Sequence, residues 1–151
     1  MTDTTDATDT DTTAGAGTTG RPPTAIWPIL RYRDSRAAMT FLAGAFGFET
    51  TAVHPGSGGP VVHAEMRWPL GGGVMLSDLE TGDPVFAQGL GVAVVYVVTA
   101  DAAATDALHE LAKAAGAEIV REPRDEDYGS RDFAARDPEG NIWSFGTYAG
   151  E

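Results

Sequence analysis

The chain contains no cysteine, a single lysine (Lys113), and no apolar run near the roughly 18 residues that a membrane-spanning helix needs. Disulfides, thiolate nucleophiles, zinc fingers and iron–sulfur clusters are excluded together. Positive charge is scarce: the formal net charge is -12. A phosphate backbone is repelled by such a balance, so no nucleic acid is expected as a partner. Nor is a membrane, and a soluble, cytoplasmic protein is the expectation. The few arginines are scattered, with Arg31, Arg33 and Arg36 near one another and Arg121, Arg124, Arg131 and Arg136 alternating with acids.

Residues 1–23 lack the apolar side chains that offset the entropy of ordering, being mostly threonine, aspartate, alanine and glycine. They read as a disordered tail. Residues 24–151, with enough apolar content to bury one core, read as a single domain.

Within that domain one script occurs twice. An apolar strand ends in an aspartate, an alanine-rich helix follows, a glycine stops it, and three strands come after. The first copy, about 25–80, runs from Ile26 to Asp34, through a helix from Ser35 to Phe46, to Gly47. Strands are expected at Phe48 to His54, Val61 to Trp68 and Gly73 to Asp78. The second copy, about 90–149, runs from Val92 through Asp101 and a helix from Ala102 to Ala115, to Gly116. Its strands are expected at Glu118 to Arg121, Ser130 to Arg136 and Ile142 to Tyr148. Leu108, Leu111 and Ala115 read as the buried stripe of the second helix, with His109 at the surface or its boundary. The fold class is therefore α+β, two tandem βαβββ modules, with function sought between the halves.

Alternation assigns faces. His63, Glu65 and Arg67 share one side of their strand, while Ala64, Met66 and Trp68 share the other. The polar trio faces away from the helix side. His63 reads either as a general base or orienting donor, working with Glu65, or as a histidine simply hydrogen-bonded to Glu65. By the same parity Trp143 and Phe145 pack toward the helices if Ser144 faces away. The run Asp137-Pro138-Glu139-Gly140-Asn141 is a tight hairpin, because proline presets one turn dihedral and glycine accepts a positive one.

The strand-ending Asp34, the segment HAEMRW and above all YGSRDFAARDPEGNIWSFGTY resemble the vicinal oxygen chelate superfamily. That superfamily includes glyoxalase I, extradiol dioxygenases, and fosfomycin- and bleomycin-resistance proteins. The likeness covers about residues 25–149. It implies sheets curled into a cup with helices outside, a pocket inside it, and a homodimer. It also implies four metal-ligand positions, and these fall on Trp27, on Ser144, on Val95 or Val97, and on Ser77 or Asp78. Indole and valine cannot bind a divalent cation, so no metal and no cofactor are expected.

The resemblance thus implies a metal-free small-molecule binder, sequestering a planar or cationic compound, with Trp27 as a stacking surface. Arg31, Arg131, Glu65 and His63 are the expected polar anchors, or else surface ion pairs, and Tyr128 is expected to cap the ligand from a rim loop spanning Glu122 to Gly129. Two alternatives stay open. One is a lyase, isomerase or dioxygenase, metal-dependent or working through His63 and Glu65. The other is a non-catalytic interaction scaffold.

Overall fold

A computed structural model describes residues 25–55, 58–81, 84–86 and 89–151; the expected tail at 1–23 lies outside them. Strand β1 (Ile29–Tyr32) leads into α1 (Ser35–Phe41), which a wider π-helical turn extends over Leu42–Phe46. Strands β2 (Glu49–His54), β3 (His63–Arg67) and β4 (Gly73–Asp78) complete the first module. The second holds β5 (Val94–Val98), α2 (Ala102–Ala114), β6 (Glu118–Asp125), β7 (Arg131–Arg136) and β8 (Ile142–Gly146). Each module forms one mixed four-stranded sheet, ordered β1-β4-β3-β2 and β5-β8-β7-β6. In both, the first strand pairs in parallel with the last.

The repeated aspartates explain the repeated helices. Asp34 accepts a hydrogen bond from the Ala37 amide at 2.9 Å, and Asp101 accepts one from the Ala104 amide at 2.8 Å. Each satisfies an amide that a helix N-terminus otherwise leaves unpaired. Gly47 closes the first helix with a φ of 83°, in the left-handed region open to glycine.

The helix-side faces of both sheets feed one core. Leu30, Tyr32, Ala64, Met66, Val74 and Leu76 come from the first sheet, and Val97, Phe133, Ala135, Trp143 and Phe145 from the second. Phe46, delivered by the π turn, joins them, with its ring 4.8 Å from Phe145 and 5.9 Å from Trp143. The parity reading of Trp143, Phe145 and Met66 therefore holds, and His63, Glu65 and Arg67 stand on the opposite face.

A buried carboxylate joins the modules. Asp137 accepts hydrogen bonds from the Tyr32 hydroxyl at 2.8 Å, the Trp143 indole at 3.1 Å and the Asn141 side chain at 3.0 Å. It also accepts the amides of Glu139 and Asn141. Burial, reinforced by the adjacent Asp137 charge, holds the Tyr32 hydroxyl far above the usual tyrosine range, so it stays a donor. Next to it, the Glu139 carboxylate accepts the amides of Arg33 and Asp34 at 2.7 and 3.1 Å. The hairpin read from the sequence is thus also a clasp on the first module.

Asp78 plays a related part inside the first module, accepting the amides of Ser35 and Val61 at 2.8 and 2.7 Å. Burial raises its pKa, but these hydrogen bonds outweigh burial and the net shift is downward. A depressed carboxylate contributes stability that is present above its unfolded pKa and lost as pH falls through the folded value. The stability gap between the native chain and Asp78→Asn should therefore be full at neutral pH and shrink below about pH 4, the ordinary carboxylate range. Urea melts across pH 3 to 7 measure it; a gap constant with pH would refute the assignment.

Three expectations require correction. Strand β6 runs on to Asp125, well past the expected end at Arg121, so only residues 126–129 remain of the expected rim loop. Pro123 is tolerated there because β6 is an edge strand and the missing amide costs no ladder bond. His109 is buried, not peripheral: 5% exposed, edge-on to Phe133 at 5.4 Å, with Nε2 2.8 Å from Glu122. Finally, α2 buries Thr105, His109 and Ala112, while Leu111 is exposed. Thr105 can go inside because its hydroxyl pairs with Thr99 at 2.6 Å and with the Asp101 carbonyl.

Candidate functional site

The faces turned away from the core carry the chemistry. On the first sheet, strand register sets His54 opposite His63, Glu65 opposite Met75, and Arg31 opposite Ser77. His63 Nε2 lies 3.2 Å from Glu65, and its ring is roughly parallel to that of His54 at 6.2 Å. Trp27 lies over the Gly73 backbone, where an added Cβ would come 2.7 Å from its ring. The Arg67 guanidinium sits 4.9 Å from the same ring. Arg31 donates to the carbonyls of Asp78 and Leu79 at 3.1 and 2.8 Å, holding the turn after β4.

On the second sheet the register places Arg121, Ala134, Ser144 and Tyr96 in one row. The next row sets Arg124 beside Asp132 and Asp132 beside Gly146. Asp132 is 1% exposed and holds a short hydrogen bond from Ser130. The Tyr128 hydroxyl donates to its other oxygen at 3.0 Å, and the Tyr96 hydroxyl lies 3.5 Å away. This bond to Asp132 holds the Tyr128 phenol above the usual range.

Trp27, Arg31, His63 and Glu65 are thus brought onto one sheet, and Ser144 and Tyr128 onto the other. Arg131 joins neither group. Its guanidinium is held by Asp106 of α2 at 2.7 Å and by Asp125 at 3.1 Å. Tyr96 is the residue that sequence reading missed. Val95 and Val97, the positions considered on β5, pair with Trp143 and Phe145 on the core side, and Tyr96 is the one beside Ser144. The parallel register of β5 on β8 would have revealed it, but strand alternation alone does not fix a partner's offset.

A cavity of about 490 Å3 lies at the junction of the modules. Its walls include Ile26, Pro28, Phe48, Trp68, Val74, Val95 and Val97, with the backbone of Gly71 to Gly73. Its lining differs from the expected one, because none of Trp27, Arg31, His63, Glu65, Tyr128, Arg131 and Ser144 is part of it, and Tyr96 is. The Trp68 indole, one of the walls, is fixed by a 2.7 Å bond to the Val98 carbonyl.

A divalent ion needs several nitrogen or oxygen donors converging at one point. Among the described residues no three histidine, aspartate or glutamate side chains are so arranged. At the positions the resemblance assigns to metal ligands, Trp27 offers an indole, Val95 and Val97 offer only hydrocarbon, and Asp78 is committed to two amides. These residues do not fit a resident metal ion.

A comparison with proteins of curated function finds no match. Among solved structures, TioX from Micromonospora sp. ML1 is 31% identical, with a TM-score of 0.65 over 81% of this chain and 98% of that one. A glyoxalase/bleomycin resistance protein/dioxygenase from Nocardioides is 24% identical, with a TM-score of 0.62 over 89% of this chain and 90% of that one. A family enzyme from Burkholderia phytofirmans PsJN is 20% identical and supports the fold, with a TM-score of 0.61 over 80% and 95%. The model of the Glyoxalase/Bleomycin resistance protein/Dioxygenase superfamily matches residues 24–145, and the chain belongs to that superfamily.

Proposed function

We propose that the protein is a metal-free binder of a small planar or cationic organic molecule. The observation that carries this reading is the junction cavity. Its volume falls within the roughly 300–1,000 Å3 usual for small-molecule sites, and its walls are aromatic and aliphatic. Such walls hold a flat ligand by dispersion and stacking. The formal charge of -12 draws cations from long range. Within the reading the protein works in the cytoplasm, as a homodimer, and exposed Ile29, Val92 and Val94 beside the free edges of β1 and β5 offer an apolar seam for a second copy.

Thermal-shift and fluorescence titrations with ethidium and acridine orange, against anionic fluorescein, test the reading. Saturable binding of the cations at low micromolar concentration supports it; no binding by any of the three defeats it. Stoichiometric metal in protein purified without chelators would also defeat it.

The His63–Glu65 contact favours one second reading, an enzyme in which the carboxylate orients the imidazole for proton transfer. His63 lies outside the cavity, so within the binding reading His63→Ala should leave dye affinity unchanged, and a loss of affinity would bring the His63–Glu65 pair to the ligand.

A further inference from the structure

Three tyrosines gather around Asp132 on the second sheet. Tyr128, Tyr148 and Tyr96 are 56%, 43% and 41% exposed, so each presents part of its ring to solvent. The rings of Tyr128 and Tyr148 stand at 77° with centroids 5.9 Å apart, making two walls of a corner. Tyr96 is tied to the same place, since its hydroxyl accepts the Tyr148 amide at 3.1 Å.

The walls are held in advance. Tyr128 donates to Asp132, and Ser130, bonded to the same carboxylate, accepts the amides of Thr147 and Tyr148 at 3.0 and 3.1 Å. The Tyr128 ring, tied to a buried carboxylate, and the Tyr148 backbone, tied to Ser130, lose little freedom when a ligand arrives. Gly146 makes this possible, because a Cβ there would collide with Asp132 and with the Tyr96 hydroxyl.

The chemistry of the corner selects for cations. Aromatic faces attract positive charge through their quadrupoles, and perpendicular walls suit a compact, weakly hydrated ammonium better than a flat neutral ring. Between 121 and 132 five carboxylates stand against three arginines, Arg121, Arg124 and Arg131. Those arginines are each paired with acids: Arg121 with Glu126 and with Asp132 itself at 3.7 and 3.8 Å, Arg124 with Glu126, Arg131 with Asp106 and Asp125. Among the described residues no cation is seated over these three rings, in contrast to Arg67 on Trp27.

We propose that Tyr96, Tyr128 and Tyr148 form a recognition site for a quaternary or alkylated ammonium group. The proposal rests on the small-molecule-binding reading and places the ligand's charged group at the edge of the second sheet, not over Trp27.

The test uses the full chain and choline, with its neutral isostere 3,3-dimethylbutan-1-ol, followed by NMR of the tyrosine rings. Choline should shift ring resonances saturably and bind at least fivefold more tightly than the alcohol. Tyr148→Leu should weaken choline at least fivefold with melting temperature unchanged, and Tyr128→Leu should weaken it as much with a lowered melting temperature from its lost bond to Asp132, while Trp27→Leu leaves choline binding unaltered. Equal binding of choline and the alcohol, or choline binding that survives both tyrosine variants, overturns the site. If ethidium still binds in that case, the small-molecule reading stands and only the tyrosine site falls. If neither choline nor ethidium binds, both fall.

Discussion

Asp137→Ala should lower the free energy of unfolding by about 4 kcal/mol, the scale observed when one member of a buried charged network is deleted. The size follows from what is left behind. The Tyr32 hydroxyl, the Trp143 indole and the Asn141 amide all lose their acceptor in a region where each of these residues is at most 3% exposed. Water can enter only by opening the core, and an unpaired buried donor costs about 1–3 kcal/mol. Tyr32→Phe removes one donor without stranding the carboxylate, which keeps its other partners, and should cost about 1 kcal/mol. Urea unfolding of the two variants and the double mutant gives the coupling. A loss under 1 kcal/mol for Asp137→Ala would show that the clasp contributes little.

Gly146→Ala should cost about 3 kcal/mol, and the reason is purely steric. The new methyl would fall on Asp132 and the Tyr96 hydroxyl, and neither can retreat easily, the first being buried and the second held by the Tyr148 amide. Forcing a methyl into filled space typically costs 1–3 kcal/mol, and displacement of a bonded carboxylate puts this case at the upper end. Removing the hydroxyl should recover part of the loss, so Gly146→Ala/Tyr96→Phe is expected to be more stable than Gly146→Ala alone. Equal melting temperatures for native chain and Gly146→Ala would mean the strand end yields freely.

Much of this was readable from residues. The capping aspartates, the glycine stops and the period-two faces are local signals, each satisfied within a few positions, so module order and the core side of Met66, Trp143 and Phe145 followed directly. What was hidden depends on partners far along the chain. Arg131 read equally as a ligand anchor or an ion pair, and only the placement of Asp106 and Asp125 beside it decides for the pair. His109 looked peripheral because it falls beside the expected stripe of Leu108, Leu111 and Ala115, yet Glu110 and Glu122 let its ring lie inward on Phe133. Tyr96 was concealed by the offset of one parallel strand pair. The π turn that carries Phe46 toward the second sheet likewise leaves no mark in a helical periodicity.

The two halves descend from one script but are no longer interchangeable. Asp78 serves amides of its own half, whereas Asp137 and Glu139 reach over to Tyr32, Arg33 and Asp34. The dependence therefore has a direction: a protein assembled from two first repeats would lack the latch, and one assembled from two second repeats would have nothing for it to fasten.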